Sequence, residues 1–162
     1  MKKLHLGCGR NILDGWINTD FDLVKFPSGP KHLDVTNKFS IREKRKDDII
    51  IDDNSIDYIF SEHLIEHLTY QEGKFMLEEC FRVLKVGGKV RISTPDLKFL
   101  IDIYTDDKTD LQKRYIDYSV NHEAYDISIG TDTFIINNYV RDWGHIFIYD
   151  EKTLKNLFES IG

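Results

Sequence analysis

The 162-residue chain has only two cysteines, Cys8 and Cys80, only three prolines, and no long apolar run. Two thiols are too few for a disulfide framework or a four-ligand zinc site. Scarce proline and plentiful aromatic residues argue against a disordered chain. A membrane-spanning helix would need about 18 or more consecutive apolar residues. The opening "MKKLHLGCGR" has two lysines but lacks the apolar core and small-residue cleavage site of a signal peptide. These absences leave a soluble globular protein, with cytoplasmic residence as the default. Positive charge is not in excess either. The formal net charge of −6 argues against bulk attraction to nucleic acid.

What remains has the size of one domain able to bury its own core. The charge is uneven. Residues 1–46 carry ten Lys/Arg against five Asp/Glu, and the basic excess centres on "IREKRK". A solvated loop or helix end is the plain reading of that run, and a phosphate-contacting patch is the alternative.

Strand-like and helix-like runs alternate, which predicts a mainly parallel sheet flanked by helices. Strands are expected at residues 3–6, at "WINTD", ending near "HLDV", at "SIDYIFSEH" and at "KVRIST". The run "YQEGKFMLEECFRVLK" places apolar residues near a 3.6-residue period and predicts a helix, with Gly87 and Gly88 as its C-terminal cap. "DLKFLIDIYT" and "LQKRYIDYSVNHEAY" look helical, while "ISIGTDTFIINNYVRDWGH" reads as loop with some extended chain. The final "DEKTLKNLFESIG" predicts an amphipathic helix starting near Asp150.

The stretch "LHLGCGRNILDGWINTD" carries the first chemistry. A β-like run meets Gly7 and Gly9 and soon reaches Asp20, as in an α/β domain that holds a nucleotide-like cofactor. The gap to the acid is shorter than the usual ~20 residues. A first crossover of ten to twelve residues leaves little room for a full helix.

Four segments in order, "LHLGCG…GWINTD", "DNSIDYIFSEHLIEHL", "ECFRVLKVGGKVRISTPD" and "HIFIYDEKTLKNLFESIG", resemble the class I S-adenosylmethionine-dependent methyltransferases, in particular the small bacterial type-11 kind. The resemblance spans nearly the whole chain. It implies a Rossmann-like, mainly parallel sheet, S-adenosyl-L-methionine as cofactor, and a single methyltransferase domain over 1–162. Residues 96–142 would then form a substrate-side insertion or lid. It also implies that Gly7, Cys8 and Gly9 bring backbone close to the cofactor's amino-acid end. Asp20 would accept from the ribose hydroxyls, and Phe21 would cover the adenine. Asp34 would accept from the adenine amino group, the Val35 amide would serve a ring nitrogen, and Ser61 and Glu62 would line the crevice.

The chain departs from the family pattern in three places. His5 stands where an acid is common, Asn11 replaces the usual third glycine, and the last two strands of the family's sheet have no counterpart. Either the chain is cut short of those strands, or the uncovered sheet edge is hidden by the insertion or by a second copy; if it ends naturally at Gly162, a homodimer is expected.

Histidines supply the candidate catalytic groups. His63, at the crevice end of the fourth strand, could face the transferable methyl or the substrate. His145, in "RDWGHIFIYD", could act as base or contact substrate, against the plainer reading of a surface or packing histidine. The His63-Leu-Ile-Glu66-His67 run has the form of an inverted zinc-peptidase motif. That chemistry needs a third ligand and a continuous helix, so helix-start hydrogen bonding is the preferred reading for Glu66 and His67, and no metal is expected. Tyr139 and Trp143 read as core residues more than as a sugar platform.

The expected activity is methyl transfer to a small-molecule or sugar acceptor, oxygen slightly favoured, with no nucleic-acid partner and no membrane span. A non-catalytic or partner-dependent cofactor-binding protein is the second reading. A nicotinamide-dependent oxidoreductase is the third, and "SEHLIEH" with "RVLKVGG" argues against it.

Overall fold

A computed structural model describes residues 1–25, 29–39, 49–122 and 131–162. The basic "IREKRK" run lies outside the described residues. Five strands form one parallel sheet in the order β3-β2-β1-β4-β5. They are β1 (Lys3–Leu6), β2 (Ile17–Asp20), β3 (Lys31–His32), β4 (Ile56–Glu62) and β5 (Leu84–Ser93). The central pairing runs Leu4 to Ile59, His5 to Phe60 and Leu6 to Ser61. Because side chains alternate along a strand, Leu4, Leu6, Ile59 and Ser61 share one face, and His5 and Phe60 the other.

The first face is covered by α1 (Tyr70–Val83) and α5 (Glu151–Ile161). Leu4, Leu6 and Ile59 pack there with Met76, Leu77, Cys80 and Leu157 in the main core. Helix α1 starts at a reciprocal cap, in which Thr69 accepts from the Glu72 amide and the Glu72 carboxylate accepts from the Thr69 amide. Asp150 caps α5 by accepting from the Thr153 amide, close to where the sequence places that helix start.

The β1–β2 crossover is the unusual element. Its residues 7–16 form turns and no helix, as the short spacing predicts. Asn18 substitutes for the missing helix. Its side-chain oxygen accepts from the Leu13 amide at 3.0 Å, and its nitrogen donates to the carbonyls of Leu13 (2.9 Å) and Trp16 (3.2 Å). Trp16 then packs edge-on against Tyr58 and Phe60, while His5 stacks on Phe60 with ring centroids 5.0 Å apart. Aromatic rings thus cover sheet surface that a crossover helix could have buried.

Two expected elements differ. Gly87 and Gly88 do not cap α1. The helix ends at Val83, and Leu84 already has extended backbone and opens β5. Ile56 faces Leu84 but Tyr58 faces Lys89, so the residues between bulge out of the ladder. Gly87 supplies the positive φ of +81° in that bulge. The second difference is residues 131–141, expected as loop and extended chain, which form a helix. Here α2 (Leu97–Ile103), α3 (Asp110–His122) and α4 (Thr131–Arg141) share a second core of Leu100, Ile103 and Ile135, packed with Tyr115, Tyr139 and Ile148. Ile135 and Tyr139 lie one helical turn apart, and burying them together outweighs the weak strand preference of "TFII".

Candidate functional site

The carboxyl end of β1 delivers Gly7 and Gly9 in left-handed conformation, with φ of +60° and +52°. The backbone angle demands glycine at Gly7, and a Cβ there would also crowd the Leu64 methyls at 2.9 Å. The Gly9 amide donates to Asp20 Oδ2 at 2.8 Å, and the Asp22 amide donates to Oδ1 at 3.0 Å. The glycine turn and the acid at the end of β2 are therefore one unit. Each ionised carboxylate oxygen offers about two acceptor sites, so each Asp20 oxygen keeps one beyond its backbone bond. That pair of acceptors fits a group presenting two neighbouring hydroxyls. Phe21 follows directly, 55% exposed, with its ring 5.7 Å from that of His32.

Cys8 is buried, and burial, aided by the nearby Asp20 charge, pushes its thiol up to about 11. It is therefore no thiolate nucleophile near neutrality. Its amide donates to the Thr19 carbonyl at 2.9 Å, tying the turn to β2. Asp34 stands in a local turn, where its carboxylate accepts from the Thr36 amide and hydroxyl and from the Asn37 side chain. Three of its about four acceptor sites are thus occupied. Val35 is buried in the main core. Ser61, next to last in β4, lies beside Leu6, and its buried hydroxyl has no hydrogen-bond partner among the described residues. Glu62, half-buried, pairs in register with Ser93 of β5.

The position expected for an acid, His5, is buried. Its ring donates toward the Asn18 side-chain oxygen at 3.2 Å. Burial lowers its pKa, against smaller opposing effects of Asn18, Glu62 and Asp20. A neutral imidazole here joins the glycine turn to the Asn18 brace.

Beyond β4 the chain turns sharply. His63 has φ of +51°, an exposed side chain, and Nδ1 3.0 Å from Glu66 Oε1. Glu66 does not serve a helix start, contrary to expectation. It sits in the short 3-10 turn Ile65–His67, ahead of α1, with its carboxylate fully buried. Oε2 accepts from Thr94 Oγ1 at 3.0 Å. The Glu66 carbonyl accepts from the amides of Ile146 (2.7 Å) and Phe147 (3.2 Å). One residue thus joins the ends of β4 and β5 to the segment that leads into α5.

That segment carries His145, which is half-buried. Its Nδ1 lies 2.6 Å from the Tyr139 carbonyl, and its ring packs against His67, Tyr139 and Trp143. His67, expected at a helix start, instead directs Nδ1 to the Gly144 carbonyl at 3.2 Å. Tyr139 belongs to the second core, where burial raises its hydroxyl pKa. Trp143 does not: it is 49% exposed. The structure thus brings the His63 side chain to Glu66 and His145 to His67, and gathers Gly7, Cys8, Gly9 and Asp20 in a turn that meets Leu64 at Gly7. Sequence reasoning missed the brace Asn18 and the hub Glu66. A polar side chain in the middle of "INTD" was the available signal for the first.

A family model described as a methyltransferase domain matches residues 4–92. A search of curated protein sequences found no match. Among solved structures, a SAM-dependent methyltransferase from Archaeoglobus fulgidus is similar, at 18% identity and a TM-score of 0.59, over 99% of this chain and 60% of that one. PKMT2 from Rickettsia typhi aligns at 14% identity and a TM-score of 0.56, over 99% and 37% of the two chains. A phosphoethanolamine N-methyltransferase 2 from Haemonchus contortus aligns at 14% and 0.51, over 100% and 33%. That protein was solved with phosphomonomethylethanolamine and S-adenosylhomocysteine. This chain therefore spans between a third and three fifths of the length of these proteins. These likenesses show a shared Rossmann-like fold, and with more than half of its residues matched by the family model, the chain belongs to the methyltransferase-domain family.

Proposed function

We propose that this chain binds S-adenosyl-L-methionine and transfers its methyl group to a small-molecule or sugar acceptor, with oxygen slightly favoured over nitrogen. One observation carries the cofactor reading. The Gly7–Gly9 turn and Asp20 are held as a unit, and each Asp20 oxygen keeps an acceptor site for a ribose hydroxyl. The cofactor would supply an electrophilic methyl on a sulfonium. The remaining work belongs to the chain. Backbone at Gly7, Cys8 and Gly9 approaches the amino-acid end, and Phe21 offers an exposed ring to the adenine. Asp34 has about one acceptor site left for an amino group, beside the Val35 amide. Glu62 lines the crevice at the end of β4, with the fully buried Ser61 beneath it.

A hydroxyl acceptor must lose a proton. Each candidate base spends Nδ1 on a neighbour, His63 on Glu66 and His145 on the Tyr139 carbonyl. Nε2 is then the nitrogen that takes the proton. The Haemonchus protein's bound phosphomonomethylethanolamine supports a small acceptor and makes a nitrogen nucleophile the main alternative. Residues 96–142 serve in this reading as the substrate-side wall of a single domain over 1–162. No helix among the described residues is long and apolar enough to cross a membrane. Cytoplasmic residence, no nucleic-acid partner and a homodimer complete the proposal. The helix-free first crossover favours one second reading, cofactor binding without turnover.

Calorimetric titration with S-adenosylhomocysteine and with NAD tests the cofactor, and binding of NAD alone overturns it. A panel of hydroxyl and amine acceptors then separates turnover from binding. On an accepted hydroxyl, His63→Ala or His145→Ala should lower kcat by about 10²–10⁴-fold with unchanged S-adenosylhomocysteine affinity. Two variants that turn over like the parent exclude a histidine base.

A further inference from the structure

We propose that Glu66, His67 and His145 form a binding site for a first-row divalent metal ion, Zn²⁺ in the first instance. The site uses none of the Asp20-turn residues and takes the one free lone pair of His145, so with metal bound the base of the proposed function would be His63. One donor atom from each residue lies within 4.8 Å of the others. Zinc bonds of about 2.0–2.2 Å in tetrahedral geometry place donors roughly 3.3 Å apart, so side-chain torsions have only a modest gap to close.

The histidine tautomers favour a cation. A carbonyl oxygen only accepts, so Nδ1 of His67 facing Gly144 O and Nδ1 of His145 facing Tyr139 O must both carry hydrogen. In the neutral rings, Nε2 is therefore a lone pair on both. A ring nitrogen pinned to a carbonyl while the other is bare is the usual arrangement behind a metal-bound histidine. The donor atoms that converge belong to Glu66, His67 and His145 and not to His63, so the His63-x-x-Glu66-His67 run does not act as an inverted peptidase motif here.

Glu66 adds the charge. Its carboxylate is fully buried, and its contacts, His63 Nδ1 and Thr94 Oγ1, leave acceptor capacity on both oxygens. A buried carboxylate is costly without a cation beside it. The frame is fixed as well, since the Ile146 and Phe147 amides donate to the Glu66 carbonyl and hold the two ligand-bearing segments together. Two imidazoles and one carboxylate suit Zn²⁺, Co²⁺ or Ni²⁺ better than Mg²⁺. Three protein ligands leave a coordination position open, as in sites that also bind water or substrate.

The test uses the full chain after dialysis against a chelator. Zn²⁺ titrated calorimetrically should bind at one equivalent, and Mg²⁺ at equal concentration should not compete. His67→Phe and His145→Phe keep the ring packing but remove the lone pair, and each should weaken Zn²⁺ by at least about tenfold. X-ray absorption on the zinc-loaded parent needs no variant and should show imidazole nitrogens in the first shell. No stoichiometric binding, binding unchanged in both folded variants, or an all-oxygen shell would each overturn the site. None of these readouts involves methyl transfer, so failure of the metal site and failure of the proposed function remain distinguishable.

Discussion

At the scale of single residues, Asp20 carries the most. Its carboxylate fixes the Gly9 amide and still has capacity for a ligand. Asp20→Ala should weaken S-adenosylhomocysteine binding by about 1.5–3 kcal/mol, the range for charge-assisted hydrogen bonds. Isothermal titration of the folded variant checks this, and equal affinity would remove Asp20 from the site. Cys8 is the contrasting residue. It sits in the same turn, yet its buried thiol contributes no charge near neutrality.

Among the elements, the β1–β2 crossover depends on a side chain where most parallel connections depend on a helix. Asn18→Ala removes four hydrogen bonds and takes their partner from the buried His5 ring nitrogen and from the part-buried Leu13 amide. Urea unfolding should show a loss of roughly 1–3 kcal/mol with little change in slope. A variant as stable as the parent would show that the Trp16 packing alone holds the crossover.

Helix α1 has a pH-sensitive attachment of its own. Burial would raise the pKa of Glu79, but the Arg82 guanidinium and the Phe39 amide outweigh it and hold it below its ordinary 4.5. Arg82 also pairs with Asp53. A carboxylate depressed in the folded state stabilises above its unfolded pKa, and that contribution is lost as pH falls through the folded value. Stability should therefore drop as pH falls below 4.5, and Glu79→Gln should flatten part of that drop. Parallel pH profiles for parent and variant would exclude this attachment as a source of acid sensitivity.

For the whole molecule, the outer edge of the sheet is the open question. β5 ends the strand order, and its outer side has no paired strand among the described residues. Val86, in the β5 bulge, is fully exposed, and an apolar groove of about 450 Å³ lies alongside, lined by Leu77, Phe81, Val90 and Phe158. Unprotected edges pair readily with another chain. Light scattering should report a dimer, and Val86→Lys should shift it to monomer. A parent that stays monomeric at high concentration would exclude the dimer.

Much of this protein was legible in its residues. The parallel α/β class, the glycine turn closed by Asp20, the helix-poor first crossover and the start of α5 at Asp150 all follow from local rules. Spacing, periodicity and capping chemistry act within a few positions, so a linear reading reaches them. The family resemblance was legible for the same reason, because its motifs are short and ordered. Tertiary structure decided the rest. Helix α4 forms because Ile135 finds Leu100 and Ile103, which its own segment cannot reveal. Gly87 serves a bulge because β5 must keep register with β4, not because a helix needs a cap. His67 meets Gly144 across 77 positions of chain, and Glu66 holds both sides of that contact. Local sequence determines which groups are available and what each can donate or accept. Which of them meet is set by burying two cores and satisfying the backbone at once, a condition on the whole chain.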